Sequence, residues 1–175
     1  KYLAQLAEKA GAEILLGTRV ESLLVEEGFV RGVYLKNGEK LTSKVVIDAE
    51  GCASTLLRQI GLQIFDKALL VRAVNCEVDH VQDVEDDVVE VYLGQKYAPG
   101  LFAWIIPKRD GSAKVGLATS VGNAREHLKH FLNTHPIARK KLRRSVVKNP
   151  FFHLISLSGP ILKTYSNGLL AVGDA

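Results

Sequence analysis

The stretch Asn167–Ala175, "NGLLAVGDA", contains the pattern that decides the fold. Its apolar residues 169–172 run directly into Gly173 and Asp174. Strands that are apolar throughout are typical of parallel sheets covered on both faces, and ligands of such sheets bind at the carboxyl ends of the strands. Gly173 would let the backbone approach a ligand closely, and Asp174 would offer carboxylate oxygens to sugar hydroxyls. Taken alone, the pattern fits an ordinary turn equally well.

A second stretch, "KVVIDAEG" at residues 44–51, has the same design. An apolar run ends in Glu50 and Gly51, and "STLLRQIGL" at residues 54–62 follows as one short helix. Ser54 is a natural N-cap for that helix, which is the simplest role for it. Two apolar strands that end in an acid and a glycine predict a parallel pair with a ligand site at its carboxyl edge.

The remaining sequence predicts further helices and antiparallel strands. We expect a helix at the start, a short buried strand at residues 14–16, and an antiparallel meander with turns at residues 27–28 and 37–38. From about residue 66 the pattern indicates an antiparallel sheet of about four strands. An amphipathic helix at residues 123–133 and a second helix beginning near Pro136 follow.

Composition limits the functional classes. The chain has 175 residues, 47% of them hydrophobic, no methionine, and lysine at position 1. We therefore expect a folded domain that is part of a longer chain. No apolar run reaches the roughly 18 residues of a membrane span. Cys52 and Cys76 lack metal-ligand spacing, which indicates free thiols and a cytoplasmic location. The sequence is also compatible with a protein that associates with a membrane surface.

The net charge of +4 is concentrated in "ARKKLRRSVVKNP" at residues 138–150. A solvated helix face is the simplest interpretation, and a surface for anionic lipid or a phosphorylated substrate is the alternative. Nucleic acid is not expected as a partner, because no aromatic residues interleave with the charges. We expect no metal site, because His127, His130 and His135 are not completed by a carboxylate.

Together, the stretch from Glu50 and Gly51 through Ser54 to Arg58 and the late Gly173-Asp174-Ala175 stretch resemble FAD-dependent oxidoreductases of the glutathione-reductase-like fold. The resemblance is closest to the aromatic hydroxylase and geranylgeranyl reductase superfamily. Glu50 departs from the usual Asp of that motif. The resemblance implies that Asp174 binds the ribityl or pyrophosphate part of FAD. It also implies that Val20 contacts the adenine of FAD through its backbone. The implied cofactor-binding residues are therefore Val20, Glu50, Gly51, Gly173 and Asp174.

A third stretch, "YAPGLFAWIIPKRDGSAKVGLAT" at residues 97–119, resembles the Pro-x-x-Tyr-x-Trp-x-Phe-Pro-Lys segment of geranylgeranyl reductases. Phe102 stands where that family has Tyr, and Ile106 where it has Phe. The resemblance implies a substrate pocket lined by Phe102, Trp104 and Pro107. Ordinary packing within a sheet is the alternative role for Trp104.

The resemblance implies an α/β fold, with part of a glutathione-reductase-like FAD-binding domain interrupted by an antiparallel-sheet substrate domain. We expect the FAD-binding parts at residues 1–63 and 155–175 and the substrate domain at residues 64–154. The implied activity is reduction of C=C bonds in geranylgeranyl or other prenyl chains of a lipid. The electron donor, NAD(P)H or a ferredoxin, and the catalytic residues are not assigned.

The sequence contains no Gly-x-Gly-x-x-Gly. We expect that fingerprint upstream and a Gly-rich continuation downstream, so that this chain alone would bind FAD weakly and be inactive. Two other functions remain open. One is an FAD-dependent monooxygenase or halogenase of the same superfamily. The other is a non-catalytic, β-rich binding module.

Overall fold

The computed structural model describes residues 2–62, 66–159 and 161–174. The chain has a mixed α/β fold and divides into two compact units. The first unit combines Lys1–Ile64 with Ile161–Ala175, and the second is Phe65–Pro160. From the sequence we expected the second domain boundary between residues 154 and 155. That position lies six residues before the observed boundary between the two units, inside a strand of the second unit.

The first unit contains the expected antiparallel meander. Its strands are β1 (Val20–Glu26), β2 (Phe29–Leu35) and β3 (Lys40–Thr42), in that order across the sheet, and helix α1 (Tyr2–Lys9) precedes them. A Cβ on Gly32 would lie 2.0 Å from the carbonyl oxygen of Leu41, so only glycine permits this close approach of β3 to β2.

The predicted parallel pair is also present. Strands β4 (Val46–Asp48), β10 (Tyr165–Ser166) and β11 (Leu169–Ala171) form a second sheet in the order β10-β11-β4. Strands β4 and β11 run parallel, with Ala171 opposite Asp48. A 3-10 turn and helix α2 follow β4, at Gly51–Ala53 and Leu56–Gln59. The sequence pattern therefore identified two strands that lie more than a hundred residues apart and are neighbours in space.

The predicted strand at residues 14–16 is wrong. These residues are in irregular chain, and Leu16 is 87% exposed. Within the described residues no strand pairs with this segment, and α1 has no buried residue. Three consecutive apolar residues are a weak strand signal when no neighbouring strand supplies backbone hydrogen bonds.

The core of the first unit joins α2 to the meander and to β11. Leu57 is fully buried, and Leu56, Leu23 and Leu169 pack in the same cluster. Gln59 fixes the contact: its side-chain oxygen accepts from the Leu23 amide at 2.9 Å, and its nitrogen donates to the Glu21 carbonyl at 3.2 Å. Helix α2 is thus held against β1 by both packing and hydrogen bonds.

The second unit is built on one antiparallel sheet of five strands. In the order β6-β7-β8-β5-β9 they are β6 (Glu90–Leu93), β7 (Phe102–Pro107), β8 (Ala113–Thr119), β5 (Leu70–Val78) and β9 (Val147–Ser156). The four predicted strands are confirmed. Strand β9 adds a fifth, which pairs with β5 from Leu70↔Ser156 to Val78↔Val147 with a register shift between Asn75 and Glu77.

Helices α3 (Ala124–Thr134) and α4 (Ala138–Lys141) cover one face of this sheet. Phe131 of α3 is fully buried against it. Asn123 caps α3 by accepting from the Arg125 amide at 2.9 Å. Among the described residues, no helix has the length and apolar composition that a membrane crossing requires.

Candidate functional site

The carboxyl ends of β4 and β11 lie side by side. Their parallel register ends at Ala171↔Asp48, and the Val172 amide then donates to the Asp48 carbonyl at 2.9 Å. The two acid-glycine turns therefore leave the same edge of one sheet. We call this arrangement the strand-end site, and its members are Asp48, Glu50, Gly51, Gly173 and Asp174.

Asp48 is the buried centre of the strand-end site and was not identified from the sequence. Only 2% of its surface is exposed. One carboxylate oxygen accepts from the Glu50 amide at 2.9 Å, and the other accepts from the Ser54 hydroxyl at 2.7 Å. Charged side chains are rarely buried without such partners. The missed signal was an acid placed directly at the end of an apolar strand.

Glu50 faces back toward helix α2. Its Oε2 accepts from the Thr55 amide at 3.0 Å and the Leu56 amide at 3.3 Å, and it lies 3.1 Å from the Ser54 hydroxyl oxygen. Ser54 also accepts from the Leu57 amide at 3.4 Å, so the expected capping role of Ser54 is shared with Glu50. Gly51 has φ +72°, a left-handed conformation that favours glycine. Within the described residues Glu50 Oε1 has no partner, so it can accept from a ligand.

A cavity of about 810 Å³ opens beside Glu50. It brings Val20, the first residue of β1, together with Asp48 and Glu50. Gly51, Gly173 and Asp174 do not line this cavity. Gly173 has φ +71°, and Asp174 is exposed beyond the end of β11.

The side chains that line this cavity fit the adenosine part of a dinucleotide. Val20, Val33 and Val46 offer an apolar surface for a flat base, and the Glu50 carboxylate offers an acceptor for ribose hydroxyls. Arg19 and Lys36 add cations at the rim, as an anionic phosphate requires. The residues present therefore fit one end of FAD.

In the second unit, the three predicted pocket residues all lie on β7 but not on one face. Side chains alternate along a strand, so Phe102 and Trp104 project from the face opposite the helices. Pro107 projects from the helix-covered face, together with the buried Ala103 and Ile105. The structure thus brings Phe102 and Trp104 together and separates Pro107 from them.

Trp104 is held in a defined position over the sheet. Its ring nitrogen donates to Asn75 Oδ1 at 3.0 Å, and the Phe102 ring meets it edge to face at 5.9 Å. Gly116 makes room for the ring, since a Cβ there would lie 2.7 Å from Trp104 Cζ2 and 2.5 Å from Asn75 Oδ1. Trp104 is half-buried, so this packing leaves part of the ring available to a ligand.

Around Trp104 the helix-free face of the sheet carries several exposed apolar side chains. Leu93 is 80% exposed and Phe151 is 65% exposed. His153, whose ring stacks on Phe151 at 5.5 Å, has a buried Nδ1 with no partner among the described residues. Register and alternation place seven exposed or partly exposed apolar side chains on this face, which we call the open sheet face: Val91, Leu93, Phe102, Trp104, Ile106, Phe151 and Ile155.

Cys76 lies on the helix-covered face of the sheet. It is 2% exposed, and its thiol donates to the Val115 carbonyl at 3.3 Å. Burial raises the pKa of the Cys76 thiol to about 11. A thiol that stays protonated at neutral pH is a poor nucleophile, so Cys76 is a core residue.

Comparisons with known proteins identify the group to which this chain belongs. Residues 68–149 match the geranylgeranyl reductase catalytic domain. The chain is 34% identical over its full length to a digeranylgeranylglycerophospholipid reductase of Methanosarcina acetivorans. It is 33% identical to digeranylgeranylglycerophospholipid reductase 2 of Methanothermobacter thermautotrophicus. It covers 44% and 46% of these two relatives, so it spans less than half of their length.

Solved structures of known proteins resemble the fold of this chain. A geranylgeranyl bacteriochlorophyll reductase-like protein from Thermoplasma acidophilum superposes with a TM-score of 0.84 at 29% identity, covering 99% of this chain and 45% of that one. The flavin-dependent brominase Bmp2 superposes with a TM-score of 0.75 at 17% identity, covering 99% of this chain and 46% of that one, which shows a shared fold. The fold is that of flavin-dependent reductases and halogenases. Within this class the chain belongs to the geranylgeranyl reductase family, as its motifs predicted.

Proposed function

We propose that the protein containing this chain is an FAD-dependent oxidoreductase that reduces C=C bonds in geranylgeranyl chains of a lipid. The observation that carries the proposal is the open sheet face around Trp104. It lies largely within the segment that matches the geranylgeranyl reductase catalytic domain. An exposed apolar surface with a fixed aromatic ring suits a flexible hydrocarbon chain. The relatives named digeranylgeranylglycerophospholipid reductase support the same substrate class.

The first unit, in this proposal, is part of the FAD-binding domain, and the second is the substrate domain inserted into it. Val20 and Glu50 would hold the adenosine end of FAD in their shared cavity. Gly51, Gly173 and Asp174 would approach another part of FAD from the same sheet edge. When bound, FAD would supply the hydride for reduction. Phe102 and Trp104 would position the chain and exclude water, and Pro107 would shape β7 from the opposite face.

The basic segment at residues 138–150 would give this protein a peripheral contact with anionic lipid, consistent with a substrate that resides in a membrane. Nucleic acid has no place in this proposal.

The test uses the full-length flavoprotein under anaerobic conditions, with the flavin reduced by dithionite so that the natural electron donor is not needed. Reoxidation of the flavin by a geranylgeranyl phospholipid is followed by its visible absorbance. Trp104→Leu should raise the KM for lipid by about tenfold with a smaller change in kcat, since it removes apolar contact area. The control is Phe29→Leu, an exposed aromatic residue of β2. An unchanged KM in Trp104→Leu contradicts the role given to the open sheet face.

The second candidate is a flavin-dependent monooxygenase or halogenase, which the shared fold with brominase Bmp2 favours. The two functions differ in their need for oxygen. Reaction only in the presence of O2, with a hydroxylated or halogenated product, would identify this second function. Failure of the full-length protein to bind FAD at all would leave the non-catalytic binding module.

A further inference from the structure

Asn75 is a polar residue in the middle of the open sheet face. It lies on β5, where its register partners are Gly116 of β8 and Phe151 of β9. Gly116 in turn lies opposite Trp104 of β7. These four residues form one row across the sheet, and Asn75 stands between two aromatic side chains. Asn75 is partly exposed, so its amide group is part of the surface that a ligand would meet.

The Trp104 ring determines which way the Asn75 amide points. The two ends of an asparagine amide have nearly the same shape, so their assignment depends on hydrogen bonds. An indole N–H can only donate, and the Asn75 atom that lies 3.0 Å from it is therefore the amide oxygen. The amide nitrogen, with its two hydrogens, is the end that Trp104 leaves free.

This amide nitrogen is available to a ligand. Among the described residues, Asn75 Nδ2 has no hydrogen-bond partner, and it is not enclosed by the protein. His153 Nδ1 also lacks a partner there, but it is buried and out of reach. The charged neighbour Glu77 is already paired with Lys108 at 2.7 Å. Asn75 thus presents N–H donors within a surface that is otherwise suited to hydrocarbon.

A ligand that covers Asn75 must replace the water on these N–H groups. A donor that loses water and gains no acceptor is costly, because its full desolvation penalty remains. A ligand with an oxygen atom at this place offsets the penalty, whereas a pure hydrocarbon cannot. The open sheet face therefore discriminates between two kinds of ligand that have the same apolar chain.

Gly116 leaves room for such a chain between Asn75 and Trp104. A Cβ at Gly116 would lie 2.5 Å from Asn75 Oδ1 and 2.7 Å from Trp104 Cζ2, so only glycine keeps this space open. The backbones of β5 and β7 are two strand spacings apart, about 10 Å. The first isoprene units of a prenyl chain span this distance, from an oxygen at Asn75 across Gly116 to the Trp104 ring.

We propose that Asn75 is a specificity-determining residue that selects prenyl chains joined to their headgroup through oxygen, as in ethers and esters. Its amide nitrogen donates to the linking oxygen, while its amide oxygen holds Trp104 beneath the chain. This proposal rests on the function proposed above, because it takes the open sheet face as the surface for the prenyl chain. It adds the atom that recognises the head end of that chain.

The test compares two saturated probes that cannot be reduced: tetrahydrogeranyl methyl ether and the alkane with the same branched chain. Full-length protein is labelled with fluorotryptophan, and binding is followed by fluorine NMR of the Trp104 signal, which is identified by its loss in Trp104→Phe. Because the probes do not react, the result does not depend on reductase activity. Reduction of a geranylgeranyl lipid is measured separately.

Asn75→Asp is the decisive variant. It keeps an oxygen for the Trp104 N–H and replaces the donor nitrogen with a second oxygen. Affinity for the ether relative to the alkane should fall by about tenfold, since the hydration of each probe cancels in this ratio. Lys114→Gln is the matched control, because it makes the same change in net charge at an exposed position two residues from Gly116. Its ratio should stay within about twofold of the unchanged protein, and thermal unfolding checks that both variants are folded.

A second measurement needs no change at the site. Full-length protein is labelled with isotope-enriched asparagine, and the side-chain amide signals of Asn75 are identified by their loss in Asn75→Asp. The ether should move these amide proton signals downfield, as a new hydrogen bond does, and the alkane should not.

Three results would overturn the proposal. The first is an equal fall of the ether-to-alkane ratio in Asn75→Asp and Lys114→Gln, which indicates a general effect of charge. The second is a ratio that Asn75→Asp leaves unchanged. The third is the same response of the Asn75 amide signals to both probes, or to neither. If the full-length protein binds the ether through Asn75 but does not reduce geranylgeranyl lipid, the proposed reductase function is wrong and the recognition by Asn75 stands.

Discussion

Replacement of Ser54 by alanine tests the hydrogen-bond arrangement that shapes the strand-end site. Ser54 is fully buried, and its hydroxyl lies between two carboxylates, 2.7 Å from Asp48 and 3.1 Å from Glu50. A hydroxyl has one hydrogen, and the shorter distance assigns it mainly to Asp48. Ser54→Ala leaves the buried Asp48 carboxylate with the Glu50 amide as its donor among the described residues.

The expected loss follows from these contacts. A hydrogen bond to a charged group contributes about 1.5–3 kcal/mol, and an unpaired buried acceptor adds to the cost of removing it. The weak cap at the Leu57 amide, 3.4 Å long, adds little. We therefore expect the free energy of unfolding to fall by about 2 kcal/mol, a thirtyfold change in the folding equilibrium.

Urea unfolding followed by circular dichroism measures this change. With a typical slope of about 2 kcal/mol per molar urea, the midpoint should fall by about 1 M. Ser43→Ala, at an exposed position in the same unit, should leave the midpoint unchanged. A fall of less than about 0.5 kcal/mol for Ser54→Ala would refute the reasoning, because it would show that Asp48 does not depend on this hydroxyl.

Three further predictions concern the second unit. Gly116→Ala should lower stability by about 1–3 kcal/mol and shift the fluorescence of Trp104, the single tryptophan, because the new methyl group would overlap the ring; an unchanged spectrum contradicts this. Lys148 holds the pKa of Asp79 at about 2, below its ordinary 3.8, so their contribution is present above about pH 4 and lost toward pH 2. Asp79→Asn should therefore unfold more easily than the unchanged protein at pH 7 but not at pH 2, in urea titrations. Cys76 should react with a thiol reagent at neutral pH only after unfolding, and rapid labelling of the folded protein would contradict its burial.

Regular spacing of apolar residues along the sequence was enough to predict most of the fold. The parallel β4–β11 pair, the meander, four strands of the large sheet and helix α3 were predicted from alternation, turns and helical spacing. The strand predicted at residues 14–16 was wrong because a short apolar run does not show whether a neighbouring strand is there to pair with it. Strand β9 was less clear, because its residues are mostly exposed and its pairing with β5 spans about eighty positions.

Contacts within the candidate sites were harder to predict. Glu50 was identified, but its hydrogen bonds to the start of α2 depend on a turn geometry that the sequence does not show. The family resemblance grouped Pro107 with Phe102 and Trp104, whereas alternation along β7 places Pro107 on the other face. Asn75, which fixes Trp104, lies twenty-nine positions away and becomes its partner only through the register of the sheet.

The most direct test of the central claim is the mass of the lipid after one anaerobic cycle with the full-length flavoprotein. The protein is reduced with dithionite and incubated with an excess of digeranylgeranyl phospholipid, and the lipid is analysed by mass spectrometry. We predict that the lipid gains two hydrogens for each double bond reduced, in proportion to the flavin oxidised. An unchanged lipid beside flavin that stays reduced, or a product that gains oxygen or halogen in air with its double bonds intact, would contradict the account.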